Sequence, residues 1–409
     1  MPVKKTEVGT VRKMISSNRR GFGSFIRYIA IVLIMNLLAV FTSGCWNYRE
    51  IEYLAAVYAF GLDKDPKSKE YVLTVEINRF ESSGKDSTLK SRVLTAEGSS
   101  IMEAVANLSE TSDKQIYWSQ AKVGVIGRGV AEEGLMPLID TMLRDQETRI
   151  DMYLIASKEK TAKEIIKLSE ENSSEMLGVR LSELIEGQMF ASKAPAIHVY
   201  ELADMLANPY QSAILGTVGI TDVGGEKLPE ISGAALFEKG RLKGFLNGEE
   251  AQYLLFAMNE FNQSHLALDG VDDDPDVKAS IQIDKSKTSI TPAYKDGKIS
   301  MDIYIYADGG IEELYNPNSI DDKTIEGKIK ERCEAMIAEK TMTVIQKVQS
   351  QYGMDVFGFS NTFKRRKPSL WKEIDDRWQE EFSKMDISVH AYLHITNTGE
   401  VKILSEEEI

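Results

Sequence analysis

The sequence predicts a mixed α/β (α+β) protein of three domains, and three stretches carry that prediction. Strand-like runs at 121–126 and 152–156 alternate with helix-like segments near 131–143 and 161–168, the order of successive β and α units. Ile299, Met301, Ile303 and Ile305 alternate with polar or aromatic residues, the period of a half-buried strand. Over 321–351, Ile325, Ile329, Cys333, Met336, Ile337, Val344, Ile345 and Val348 fall near one stripe of a long helix. A chain of 409 residues, 43% hydrophobic and 27% charged, is long enough for several cores.

The N-terminus reads differently. Residues 1–27 hold Lys4, Lys5, Arg12, Lys13, Arg19, Arg20 and Arg27 against one acid, Glu7. Fourteen mostly apolar residues, 28–41, follow. At ~1.5 Å per residue they are short for a ~30 Å hydrocarbon core but suit the apolar region of a cleaved signal. Thr42-Ser43-Gly44-Cys45 then resembles the bacterial lipobox, with Thr42 where an aliphatic residue is usual. The expectation is a signal peptide over 1–44 and a diacylglyceryl group on Cys45; two acyl chains suffice for stable membrane attachment. A buried cysteine ending an uncleaved anchor helix is the alternative.

Loss of 1–44 removes seven basic and one acidic residue and takes the formal charge from −14 to −20. So acidic a body is repelled by nucleic acid and by anionic headgroups, so no nucleic-acid partner is expected and the lipid must supply attachment. The one dense basic run in the mature chain, Lys364-Arg365-Arg366-Lys367, reads as a solvated turn between helices, with a headgroup or acidic-partner contact as the alternative.

Residues 46–60 contain no Gly/Ser/Pro tether, so the body starts close to the lipid. Trp46, Arg49 and Glu50 are therefore candidates for a partner contact, against a packed Trp and a local salt bridge. A turn at 61–68 and a strand at 71–78 suggest a hairpin, 81–92 a polar loop, and Ser99 or Ser100 the cap of a helix with Glu103 as capping-box partner of Ser100. A first domain is expected over 45–205, with 171–215 unassigned. A middle domain over 206–276 has short strands at 216–221, 231–237 and 242–246 and a helix at 249–261, and ends in an acidic linker, 269–276. A last domain over 277–409 adds a helix with Trp371, Ile374, Trp378 and Phe382 on its apolar face, and a strand with Ile387, Val389, Ala391, Leu393 and Ile395 inward. Trp371 and Trp378 read as core, or as exposed partner anchors.

Catalytic motifs are absent: no Gly-x-Ser-x-Gly, Cys-x-x-Cys, His-Glu-x-x-His or phosphate loop occurs. His390 and His394, on one strand, stand ~13 Å apart and cannot share an ion; His198 and His265 read as surface residues. Counted from Asp272, a calcium loop would need Gly and Glu where Val277 and Ile283 stand. No metal, cofactor or catalytic residue is expected, and Cys333 reads as a packed hydrophobe.

Several motifs recur together: Gly44-Cys45-Trp46-Asn47-Tyr48-Arg49-Glu50-Ile51-Glu52, Gly61-Leu62-Asp63, Tyr117-Trp118 with 121–127, Arg144-Asp145 with Arg149, 233–237 with 242–246, Asp355-Val-Phe-Gly-Phe359, and Trp371/Trp378/Phe382. In this order, over about 43–403, the chain resembles the spore germination protein C family, Ger(x)C, the lipoprotein subunit of nutrient germinant receptors. The resemblance implies three α/β domains and a non-enzymatic role beside integral-membrane A and B subunits, on the outer face of the spore inner membrane. A body that captures the nutrient itself is the alternative function.

Overall fold

The computed structural model describes residues 25, 27–37, 53–83, 86–171, 175–271, 274–295, 297–315 and 322–397. The chain divides into two compact units, Met1–Leu54 and Ala55–Ile409. In the first, residues 27–37 form a helix with exposed side chains. Among the described residues no helix is long and apolar enough to cross a membrane.

The second unit is built on two sheets. The first takes β1 (Leu54–Lys64), β2 (Tyr71–Ser83), β3 (Asp86–Gly98), β4 (Gln115–Tyr117), β5 (Val123–Ile126), β6 (Tyr153–Ser157), β7 (Ile197–His198), β8 (Ala213–Val223), β9 (Glu226–Glu238) and β10 (Arg241–Leu246). Its order is β10-β9-β8-β6-β5-β1-β2-β3, with β4 beside β1 and β7 beside β6. The inner strands β1, β5, β6 and β8 are parallel, and hairpins extend the sheet at both ends. Both faces are covered. Leu154 and Ala156 pack into one core, while Ile155 between them packs with Val123, Val125, Ile165 and Leu181 into a second. The second sheet runs β11 (Ser264–Val271), β12 (Asp274–Lys295), β13 (Lys298–Tyr315) and β14 (Asp386–Asn397), in that order. Helix Asp322–Lys347 packs against it, and every stripe residue named from the sequence is buried.

Mixed α/β architecture is thus what the structure shows, with local differences from expectation. The polar stretch 81–92 falls in a hairpin and not a loop: β2 and β3 pair from Tyr71↔Gly98 to Ser83↔Asp86, since backbone pairing at a sheet edge does not need apolar side chains on both faces. The first turn is shorter than expected; β1 runs through Gly61-Leu62-Asp63 to Lys64, and Lys67 and Ser68 N–H close the turn on Asp65. The helix near 131–143 is two, Arg128–Glu133 and Met136–Arg144, interrupted at Gly134, whose φ of 138° a side-chain-bearing residue rarely adopts. The acidic linker falls in a hairpin: Asp269 pairs with Lys278 and Val271 with Asp274, with Asp269 and Asp276 exposed and Leu266, Leu268 and Val271 inward. Trp371 to Phe382 lie on two short helices, Pro368–Ile374 and Trp378–Lys384, joined by one 3₁₀ turn. The strands at 213–246 join the same sheet as β1–β7.

Candidate functional site

Cys45, Trp46, Arg49 and Glu50 lie outside the described residues, so the candidate site here is built from the remaining motifs and from the clefts. Three acids, Asp63 and Asp355 of the motifs and Glu76, are buried in the protein, and each clasps the start of a helix. Asp63, near the end of β1, accepts hydrogen bonds from Ala162 N–H (2.8 Å) and Lys163 N–H (2.9 Å), the first donors of helix Ala162–Ile166. Its neighbour Gly127 must lack a side chain: a Cβ there would fall 1.8 Å from Asp63 Oδ1. Glu76 on β2 accepts from Leu177 N–H (2.7 Å), Gly178 N–H (2.8 Å) and Ser91 Oγ (2.9 Å), fixing helix Leu177–Glu186. Asp355 accepts from the N–H groups of Phe357, Phe359 and Ser360 and from Trp378 Nε1 (3.2 Å), at the start of helix Phe359–Arg366.

A helix start leaves N–H groups unpaired and carries partial positive charge, so a buried carboxylate satisfies both needs at once. Burial pushes all three acids above their ordinary values, and the donated hydrogen bonds pull the other way. All three serve architecture. Sequence reasoning singled out Asp63 and Asp355 as motif members but missed Glu76; an isolated acid in an apolar strand at 71–78 was the available signal.

The tryptophans are core. Trp371 and Trp378 are 4% and 2% exposed, with ring centroids 5.1 Å apart. Cys333 is buried and its thiol is pushed up to about 12 by burial, then by Glu334. All four histidines keep to the surface or its edge: His198 bonds Glu201, His265 bonds Glu312, His394 bonds Asp308, and His390 stacks on Tyr304. Ser100 caps helix Ile101–Glu110 as expected, but Glu103 reaches Ser99 instead of Ser100. Among the described residues no cluster of His, Cys, Asp or Glu could hold a metal ion.

Two clefts remain. One of about 290 Å³ lies in the seam where the first sheet meets the C-terminal helices, between Leu206, Tyr210, Asp355 and Trp378. The seam is stitched by Ser212 N–H to Asp355 O (2.8 Å), by hydrogen bonds from Asn208 Nδ2 to Asn361 Oδ1 and from Asn361 Nδ2 to Gln211 Oε1, and by Tyr210 edge-on to Trp371 at 4.9 Å. The other, about 690 Å³, is lined by Glu186, Glu201, Asp204 and Glu260 with no Lys or Arg in its wall. Glu260 counts as exposed by surface area, yet protein crowds its carboxyl in the cleft; that crowding, and then Glu201, pushes it up to about 7.

Fold and clasps together define a mixed α/β body of two sheets in which the motif residues Asp63, Asp355, Trp371 and Trp378 serve packing. Known proteins then place it. Residues 47–220 match the family described as the spore germination protein N-terminal domain, and 232–399 the one described as spore germination B3/GerAC like, C-terminal. The chain belongs to this GerAC-like family of spore germination proteins. It is 23% identical to spore germination protein KC of Bacillus subtilis over 403 residues, covering 91% of this chain and 97% of that one. With spore germination protein B3 of the same organism it is 25% identical over 378 residues, covering 90% and 97%. The crystal structure of the GerBC protein shares the fold, with a TM-score of 0.51 at 20% identity over 83% of this chain and 98% of that one.

Proposed function

We propose that this chain is the lipid-anchored C subunit of a spore germinant receptor, a non-catalytic body needed for assembly and signalling. The observation that carries the reading is a lipobox-like Thr42-Ser43-Gly44-Cys45, behind a basic and an apolar run, at the head of a chain of the spore germination family. Diacylglycerol on Cys45 then holds the body on the outer face of the spore inner membrane, beside integral-membrane A and B subunits. Trp46, Arg49 and Glu50 all lie within five residues of that lipid-bearing cysteine and are proposed as partner contacts. The domain divisions at 44, 205 and 276 belong to the same proposal.

Intact mass of the protein recovered from spore membranes tests the anchor. A chain starting at Cys45 with a diacylglyceryl mass is expected; an unlipidated chain retaining residues 1–44 would sink it. The second reading, direct nutrient capture, has one observation in its favour, the acid-lined cleft of about 690 Å³. Calorimetry separates the two: no saturable heat with germinant nutrients is expected, and saturable binding at germinating concentrations reverses the order.

A further inference from the structure

We infer that the basic ridge Lys364–Lys367 rests on anionic lipid headgroups and sets the tilt of the body on the membrane; this builds on the proposed lipid anchor. Lys364, Arg365 and Arg366 fill the last turn of helix Phe359–Arg366, and Lys367 is the joint to helix Pro368–Ile374. All four are exposed, and none takes part in an ion pair among the described residues. Elsewhere exposed cations are commonly paired, as Arg128 with Glu132, Arg144 with Asp140 and Arg377 with Glu381. Four adjacent unpaired cations repel one another, and they stand on a body whose net charge is negative. A polyanionic surface relieves that repulsion.

The topology selects the bilayer as that surface. β1, β5, β6 and β8 are parallel, in register at Ala59↔Val123, Val123↔Tyr153 and Ile155↔Gly216, so their starts share one end of the sheet. At that end the residues just before β8 hold the ridge: Asn208 and Gln211 bond Asn361, and Tyr210 packs on Trp371. Asn361 lies less than one helical turn from Lys364. β1 starts from the same end, and only 46–53 separate Leu54 from Cys45, a reach of at most ~30 Å. The ridge and the point where the chain leaves for its lipid thus share one end of the sheet. Carboxylates of the larger cleft, whose wall includes Tyr153 at the start of β6, are repelled by the same headgroups and confine the contact to the ridge.

The test uses the full lipidated chain on vesicles with a headgroup-bound quencher. A fluorophore is placed by Ser369→Cys, beside the ridge, or by Lys227→Cys, in the β8–β9 hairpin at the opposite end. On phosphatidylglycerol vesicles the 369 probe is expected to be quenched and the 227 probe not, with the quenching lost in high salt. Lys364→Glu/Arg365→Glu/Arg366→Glu should weaken the ridge contact at least about tenfold, since each basic side chain near an anionic surface is worth roughly fivefold. Equal, weak quenching of the 369 probe on phosphatidylglycerol and phosphatidylcholine vesicles overturns the inference, and includes the case of an acidic protein as the true partner. Flotation with phosphatidylcholine vesicles reads the lipid anchor separately. If that fails, salt-sensitive flotation on phosphatidylglycerol alone still supports the ridge, and its absence overturns it.

Discussion

The two sheets hold their helices by different means. Against the first, the short helices Ala162–Ile166 and Leu177–Glu186 have only three and five buried residues, and a carboxylate from a neighbouring strand grips the start of each. Against the second, helix Asp322–Lys347 runs 26 residues and buries an apolar stripe along its length. A buried aliphatic side chain contributes about 1.5–3 kcal/mol, so a long helix is fixed by area alone. A helix of one to three turns has less of that area, and directed hydrogen bonds help to fix it. The seam follows the same rule: helix Phe359–Arg366, eight residues long, is clasped by Asp355.

Substitutions can break or sharpen this contrast. Asp355→Ala should have the largest effect, about 5 kcal/mol, because it strands four buried donors at about 1–3 kcal/mol each, offset in part by entering water. Chemical denaturation would read it as near-loss of the folded state. Ile329→Ala, on the stripe, should cost about 3 kcal/mol by cavity formation; a cost above that of Asp355→Ala would invert the contrast. Glu76→Gln keeps the shape but loses a charge-assisted acceptor. We expect about 2 kcal/mol, with faster hydrogen exchange confined to 177–186.

The smallest effect concerns pH. Glu260 is raised from 4.5 to about 7, so the folded state keeps this proton at pH values where the unfolded chain has lost it. Stability from this group is therefore highest at low pH, falls as pH rises from 4.5 to 7, and is level above. Glu260→Gln should raise Tm at pH 8 and leave it nearly unchanged at pH 4, below both values; equal shifts at both would refute the assignment.

What the sequence revealed follows the same division. The stripe Ile325–Val348 and the alternation in β13 were legible because burial by periodicity is local: every third or fourth residue, or every second, tells the story. Clasps are not periodic. Asp63 meets its helix 99 residues away and Glu76 its own 101 away, and a lone acid says nothing of its partner. The β2–β3 hairpin was missed for a related reason, since an edge strand leaves polar side chains in water and reads as a loop. Histidine placement and the burial of Cys333 followed from strand and helix periods already visible. The exposure of Lys364–Lys367 was expected as well; its position at the end of the sheet where β1 begins depended on pairings from β1 to β8, which no local pattern carries.

The central claim is that this body works by joining a membrane receptor. Affinity purification of the full chain from detergent-solubilised spore membranes tests it most directly, with wild type set against an Arg49→Ala/Glu50→Ala variant. The account predicts that two integral-membrane subunits co-purify with the wild type, and that the variant stays lipidated and folded yet recovers them several-fold less. Recovery of the wild-type chain alone, together with saturable nutrient binding by that chain, would contradict it.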